Sequence, residues 1–349
     1  MTRSTFSQVD PPGPGHWTQI SEGLLWARMR IPAKLDHINI YLIEDDDGWF
    51  VVDTGPDTSV NRDLWRELVT GLPRRAKLSR VLVTHSHPDH IGLAGWLQAE
   101  FGVPIYISSG AHHWALREAE ERKGRSAQAV AAFYGRMGVP SEDVVHLHAA
   151  LSQMDPLFGP LASEVSLVQA DGMMRICGRN WEPWVGSGHS IEHVCLYQRE
   201  SRLLIAGDQL LEKITPLVGV SYMSPECNPL ADWFASLTDM QCRLPNDALV
   251  LPAHGQPFYG GARRIGAVLE HHESSLAKLR GSLVDWCTVH ELSHVLGWGG
   301  LTGMARYMAL DETLAHITYL VCRGEVVGSP SAIDDAYRYR LARRPSAPS

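Results

Sequence analysis

Four side chains able to ligate a metal, His85, His87, Asp89 and His90, fall within six consecutive positions, directly after the apolar, β-branched run Val81-Leu82-Val83. That run reads as a buried strand. A strand ending in a ligand-rich loop delivers its side chains to the carboxyl edge of a sheet, where open α/β sheets place their sites. From extended backbone the His85-x-His87 pair points two imidazoles the same way, one strand repeat apart. The Asp89-His90 pair faces elsewhere, so one loop can serve two adjacent ions. Imidazole with carboxylate suits zinc first, with iron and manganese as alternatives. The bland alternative is a solvated His-rich turn in a chain with 17 histidines; the spacing after a buried strand argues against it.

Other strand ends carry similar chemistry. His189 lies in the turn Gly186-Ser187-Gly188-His189-Ser190, where flanking glycine lets a side chain approach a metal at little steric cost. His193, four residues on, is open between a supporting role, a substrate contact and a plain strand-start histidine. Arg202-Leu203-Leu204-Ile205-Ala206 runs into Gly207-Asp208, whose carboxylate can bridge two cations, and Leu249-Val250-Leu251 runs into Pro252-Ala253-His254-Gly255. Trp49-Phe50-Val51-Val52 ends at Asp53, which either orients a ligand histidine from behind or closes an Asx-type turn.

The elements that must position these loops follow from periodicity. Gly23 to Asp53 is β-rich and reads as strands joined by hairpins; Ser59 to Leu72 has helical spacing, and Val81-Leu82-Val83 returns to the sheet. A helix begins around Ile91 to Leu97, its small residues permitting close packing, and Pro104 to Ile107 is a short strand. From Ala111 to about Leu161 the text is helical without a clear strand and reads as an insertion. Its bulky residues, among them Trp114, Phe133, Tyr134, Met137 and Phe158, either line a substrate pocket or form a small core of their own. After Gly261 three helices (Ile265 to Leu283, Thr288 to Leu296, Leu310 to Arg323) and a short strand predict a compact winged-helix-like module, with Thr288 and Glu291 spaced as a capping box. The expected organisation is an N-terminal arm over residues 1–22, a catalytic domain over 23–261 with the insertion at about 111–161, the module over 262–335 and a tail over 336–349.

Composition narrows the function classes. The chain has 349 residues and a formal net charge of -8, which argues against a protein built mainly for nucleic acid or anionic membranes. No apolar run approaches the ~18 residues of a transmembrane helix, and the N-terminus has no apolar stretch of the secretory type. Six cysteines with no Cys-x-x-Cys pair read as thiols in a reducing compartment, so the expected location is cytoplasmic.

Taken together, the loop His85-x-His87-x-Asp89-His90, the Gly188-His189-Ser190 turn, the Gly207-Asp208 pair and the Ala253-His254-Gly255 end resemble, in order, the motifs of the metallo-β-lactamase superfamily. The resemblance spans roughly Gly23 to Gly261. It implies an α/β fold, the four-layer αβ/βα sandwich, and two divalent metal ions, Zn2+ first with Fe or Mn as alternatives. His85, His87 and His189 would hold one ion and Asp89, His90 and His254 the second, with Asp208 between them. An Asp at the bridging position, where some zinc β-lactamases have Cys, looks like the thioesterase, lactonase, nuclease and glyoxalase II-type branches. The segment after Gly261 resembles the small winged helix of a subgroup that includes a mitochondrial endoribonuclease. Around the third histidine the family often has Thr-Pro-Gly-His-Thr-Pro-Gly, whereas this chain reads Gly186 to Glu192 without the second Pro-Gly, and it has no clear counterpart of the basic glutathione-binding segment.

The resemblance implies a metal-dependent hydrolase in which a hydroxide bridging two ions about 3.5–4 Å apart attacks the substrate. Asp208 would anchor both ions and Asp89 would also orient the nucleophile, making these two the catalytic carboxylates. The expected substrate is a small acyl compound such as a thioester or lactone. The alternative is an endoribonuclease or phosphodiesterase acting on single-stranded RNA. Residues 262–349 hold ten Lys/Arg against nine Asp/Glu, a balance that disfavours a nucleic-acid surface and suits a pocket-forming or homodimer-forming module as well.

Overall fold

The computed structural model describes residues 9–74, 76–170, 172–331 and 335–342; residues 1–8 of the expected arm, and Arg343 and Arg344 of the expected tail, lie outside them. The chain divides into two compact units, one from Met1–Glu121, Met154–Pro216 and Ser236–Gly266, the other from Arg122–Gln153, Leu217–Ala235 and Ala267–Ser349.

The first unit is built on two sheets. Seven strands lie side by side in chain order: β1 (Trp17–Ser21), β2 (Leu24–Arg30), β3 (His37–Asp45), β4 (Gly48–Val52), β5 (Leu78–Leu82), β6 (Ile105–Ser108) and β7 (Val165–Val168). The first four pair antiparallel; from β4 to β7 the pairing is parallel. Parallel neighbours need crossovers, here α1 (Ser59–Thr70) between β4 and β5, and α2 (Pro88–Ile91) with α3 (Ala94–Phe101) between β5 and β6. β1 falls in the segment read from sequence as an arm; Trp17 to Ser21 instead close the edge of the sheet against β2. The second sheet runs in the order β13 (Phe258–Tyr259), β12 (Leu249–Pro252), β11 (Leu203–Gly207), β10 (His193–Gln198), β9 (Arg179–Gly186), β8 (Met174–Ile176), and only β11 and β12 are parallel.

Side-chain alternation makes the layers. On β2 and β3, Leu24, Trp26, Tyr41 and Ile43 meet Ile176, Trp181, Val194, Leu196, Leu203 and Ile205 of the second sheet. Their neighbours Leu25, Ala27, Met29, Ile38, Ile40 and Leu42 point the other way, onto Trp65 and Leu68 of α1 and Leu97 of α3. β2 and β3 are therefore buried on both faces along most of their length, which is why they read as near-continuous apolar runs. On the second sheet's outer face the helix ending at Arg243 packs its guanidinium 4.2 Å over the Trp184 ring. The result is the α/β sandwich expected. The small residues noted in the sequence permit the closest approach: a Cβ on Gly95 would stand 2.1 Å from the Pro160 carbonyl oxygen and one on Gly92 2.6 Å from that of Leu157.

In the second unit, α5 (Ala127–Arg136) and α6 (Ser141–Met154), which follow α4 (Ser109–Gly124), pack with α9 (Val289–Val295) and α10 (Gly303–Cys322). Val130, Tyr134, Met137 and Leu147 share one core with Val289, Leu310 and Leu314. Tyr134 and Met137 thus belong to a core that the insertion shares with α9 and α10, not to one of its own, while Phe158 packs onto the first unit's core. Of α7 (Pro229–Arg243) and α8 (Gly261–Ser282), the residues up to Ala235 and from Ala267 belong to this unit, and β14 (Cys287–Thr288), β15 (Val326–Pro330) and β16 (Tyr337–Leu341) form a small sheet in the order β14-β16-β15. The expected capping box is present: Thr288 Oγ1 accepts from the Glu291 amide at 3.1 Å, and the Glu291 carboxylate accepts from the Thr288 amide at 2.7 Å.

Trp65 has no solvent exposure and its indole N–H donates to the Thr54 carbonyl at 2.7 Å, one residue past Asp53. Trp65→Ala is expected to cost about 3–5 kcal/mol and Trp65→Phe less, read from urea unfolding followed by circular dichroism; equal midpoints for Trp65→Ala and the parent would contradict this packing.

Candidate metal centre

Each ligand candidate is positioned by a local device. His87 is the last extended residue of its loop, and Pro88 opens α2 directly after it, a position proline favours because its missing N–H has no partner there anyway. The backbone thus changes from extended to helical between the two pairs, which separates Asp89 and His90 in direction from His85 and His87. Asp53, at the end of β4 with φ 66°, is buried. Its carboxylate accepts from the Thr84 amide at 2.8 Å and from Thr84 Oγ1 at 2.9 Å, and its other oxygen lies 2.8 Å from His90 Nδ1. The carboxylate can only accept, so the His90 proton sits on Nδ1 and Nε2 faces the centre. Of the two readings left open for Asp53, the structure selects the one behind a ligand histidine.

His189 follows Gly188, whose φ is 119°. Its loop is pinned at Ser187, whose amide donates to Ser236 Oγ at 2.8 Å and whose hydroxyl accepts from the Glu192 amide at 3.1 Å. Asp208 follows Gly207, whose φ is 53°; a Cβ there would stand 2.6 Å from the His193 ring. That close approach lets the Asp208 amide donate to His193 Nε2 at 3.1 Å. His193 is thereby resolved as a buried histidine at the start of β10 that holds the Asp208 backbone and stacks on His85, with ring centroids 4.7 Å apart.

The devices around His254 were not foreseen from the sequence. His254 Nδ1 donates to the His37 carbonyl at 2.9 Å, and Asn39 and Tyr41 both donate to the Pro252 carbonyl at 2.8 Å. Asn39 is buried in β3 among isoleucines, and a buried amide in an apolar alternation was the available signal.

All seven sequence-selected residues converge. His85, His87, His189 and Asp208 form one group and Asp89, His90 and His254 another, with one ligand atom from each residue lying within 4.8 Å of the others in its group. His85 Nε2 is 2.9 Å from His87 Nδ1 and 3.3 Å from His189 Nε2. Asp208 reaches both groups: Oδ2 is 3.3 Å from His189 Nε2 and 3.5 Å from His90 Nε2, and Oδ1 is 3.3 Å from His254 Nε2. Asp89 Oδ2 lies 3.3 Å from His254 Nε2 and 3.6 Å from His90 Nε2.

These separations fit a metal better than they fit hydrogen bonds. Ligands about 2.0–2.1 Å from a tetrahedral zinc are spaced by about 3.3 Å. Buried His90 Nε2 and Asp208 Oδ1 make no hydrogen bond, and buried polar atoms left unpaired are costly. Burial, then the neighbouring imidazoles, hold His85 well below the usual histidine range, and burial brings His87 to about 3, so both are neutral and able to ligate. Burial also opposes charge on His254 and His90, yet Asp208 and Asp89 push His254 up to about 10, and Asp53, Asp89 and Asp208 raise His90 well above its ordinary value. Protons on these two histidines offset the buried carboxylates until a cation takes their place.

Two outcomes follow. A metal binds the deprotonated form, and His254 carries a proton up to about pH 10, so uptake at pH 7 should release at least one proton and affinity should rise with pH. Calorimetry in two buffers of different ionisation enthalpy measures this, and zero release would contradict it. Asp53→Asn keeps an acceptor for the Thr84 amide but loses the anion behind His90; metal affinity should fall about 10–100-fold, measured by competition with a chromogenic chelator.

Comparison with known proteins agrees with this geometry. Residues 33–262 match the Metallo-beta-lactamase superfamily. A beta-lactamase domain protein from Burkholderia ambifaria is 30% identical in sequence, with 97% of this chain and 98% of that chain covered and a TM-score of 0.87. A metallo-beta-lactamase family protein from Thermus thermophilus is 26% identical, with 93% and 100% covered and a TM-score of 0.78. Among curated proteins, the probable metallo-hydrolase YqjP of Bacillus subtilis is 23% identical over 253 residues, 68% of this chain and 73% of that protein. With the His/Asp cluster at the strand ends and a family match across the sandwich, the chain belongs to the metallo-β-lactamase superfamily and is a metal-dependent hydrolase.

Proposed function

We propose that the protein is a binuclear hydrolase of small acyl compounds, a thioester or lactone being the favoured class, with zinc in both positions. The observation that carries the reading is Asp208, whose two oxygens reach the two ligand groups at 3.3 Å each. His85, His87 and His189 would hold one ion, Asp89, His90 and His254 the other, and Asp208 both. When bound, such a pair supplies Lewis acidity and water ionised near neutral pH. The chain's own residues do the rest. Asp208 and the histidines would hold the cations. Asp89, whose side chain is the more exposed of the two ligand carboxylates at 20%, would accept a hydrogen bond from the attacking water at a carboxylate oxygen and so orient it toward a carbonyl carbon. No Ser or Cys nucleophile is required.

A cleft of about 420 Å³ beside the His254 loop supports a small substrate; Met29, Ile31 and two prolines line it together with the charged Arg28, Arg30 and Asp36 and with His37. The ligand set with Asp208 in the bridging position resembles the glyoxalase II-type branch, and we read α8 to α10 with the β14-β16-β15 sheet as a winged-helix-like module. That module is the basis of the second reading, cleavage of single-stranded RNA. Against it, the net charge is -8 and Arg340 lies over the Trp286 ring at 4.5 Å, already engaged within its own unit. Among the described residues no helix is long and apolar enough to cross a membrane. All six cysteines are free thiols, which suits a reducing, cytoplasmic setting.

The test is a hydrolysis panel of acyl-CoA and glutathione thioesters, lactones, a β-lactam, a phosphodiester and single-stranded RNA, with metal analysis on the same sample. Metal-dependent turnover of an acyl substrate is expected, lost in His85→Ala. Asp208→Ala should lower kcat/KM by at least about 100-fold together with metal content. Cleavage of RNA alone would overturn the acyl reading, and full activity of Asp208→Ala at full metal occupancy would overturn the bridging role.

A further inference from the structure

A second convergence of ligands lies in the helical unit and plays no part in the centre described above. Glu312 and His316 are four residues apart on α10 and so share one helix face. His272 of α8 meets them, and one ligand atom from each of the three residues lies within 4.8 Å of the others. His272 and His316 are fully buried; Glu312 is partly buried, which leaves a path for an ion. Phe234 packs edge-on to His272, ring centroids 6.0 Å apart, and is itself packed edge-on by Tyr319.

The pairing of the two histidines is the telling detail. His316 Nδ1 donates to the Glu312 backbone carbonyl at 2.7 Å, so its Nε2 carries a lone pair; that lone pair faces His272 Nδ1 at 3.2 Å. A backbone carbonyl fixing the far nitrogen is the usual support of a metal-ligating histidine. His272 then has two options. With its proton on Nδ1 it donates to His316 and leaves a bare, buried Nε2 without a partner. With its proton on Nε2 two lone pairs face each other at the spacing of adjacent ligands on a zinc ion, about 3.3 Å. The Glu312 carboxyl makes no hydrogen bond or ion pair among the described residues. Burial pushes it up to about 8 and brings His272 and His316 down to about 3 and 4, so the cluster rests without charge and without an internal partner for its acid.

We propose that His272, Glu312 and His316 form an additional metal site that takes one divalent ion of the zinc class and clamps α8 to α10. Two imidazoles and a carboxylate leave a fourth, open position, the three-ligand pattern that zinc accepts with water. The proposal does not rest on the hydrolytic reading, because the ion is counted directly.

The experiment uses the full chain, stripped with a chelator, reloaded with Zn2+ and desalted. His316→Ala is expected to hold one equivalent fewer than the parent while hydrolytic turnover persists. The triple variant His85→Ala/His87→Ala/His254→Ala should still retain one equivalent, and Co2+ in that background should give the visible absorption of a four-coordinate ion. Glu312→Gln, which keeps the shape and removes the anion, should weaken binding in that background by at least about tenfold and is the reading to use if His316→Ala fails to fold. Zn2+ should also raise the thermal midpoint of the triple variant. Equal zinc content in folded His316→Ala and parent, equal affinity with and without Glu312→Gln, or no zinc in a folded triple variant would each overturn the proposal.

Discussion

A single carboxylate whose two oxygens reach two separate groups of candidate ligands imposes tight tolerances on the backbone behind it. Asp208 meets this demand because it leaves β11 through a left-handed Gly207 that no side chain could occupy without striking His193, and because its amide is tied to that same ring. β11 is in turn parallel to β12, whose end delivers His254, so Asp208 and His254 emerge from adjacent strands at one sheet edge. A slip of one residue in either strand would turn the ligand to the opposite face. Every residue of β11 and β12 is buried, which makes such a slip prohibitive, and in that sense the apolar core sets the register of the centre.

Electrostatics supplies the complementary constraint. In a buried site of low effective dielectric, carboxylates need either protons nearby or cations. Here Asp89 and Asp208 are balanced by protons on His90 and His254, while His85 and His87 stay neutral. The two halves of the centre therefore have different character: one holds the neutral imidazoles of His85 and His87, the other the charged pairs of Asp89 with His90 and His254. The His272, Glu312 and His316 cluster differs again, since all three of its members rest uncharged.

How far these arrangements could be read in advance depends on whether their causes are local. Ligand-bearing strand ends are local features, with residue type, strand pattern and turn glycine lying within a few positions, and all seven candidates were legible. So was the Thr288–Glu291 capping box, a four-residue device. Asn39, Tyr41 and His37 were not, because their partners lie more than 200 residues away in sequence and nothing in the alternation of β3 names them. β1 was hidden by its polar, proline-rich approach; an edge strand needs only one paired neighbour, so its sequence carries little pattern. The helices after Gly124 gave their periodicity but not their partners, as Tyr134 and Met137 pack with α9 and α10, more than 150 residues further along. His272 and His316, each on an otherwise ordinary helix, drew no notice until the two helices brought them together.

The second compact unit is assembled from three separate stretches, two of which, 122–153 and 217–235, interrupt the first unit's strand connections between β6 and β7 and between β11 and β12. The two units are therefore threaded through one another along the chain even though each has a core of its own. Removing the C-terminal portion by a stop codon after Gly266 would not yield an isolated sandwich: it would leave Val130, Tyr134 and Leu147 stripped of Val289, Leu310 and Leu314, as an apolar surface exposed to water. During synthesis the same order applies, since residues 122–153 leave the ribosome long before the helices that cover them, and must wait unpaired or be sheltered until the last eighty residues arrive.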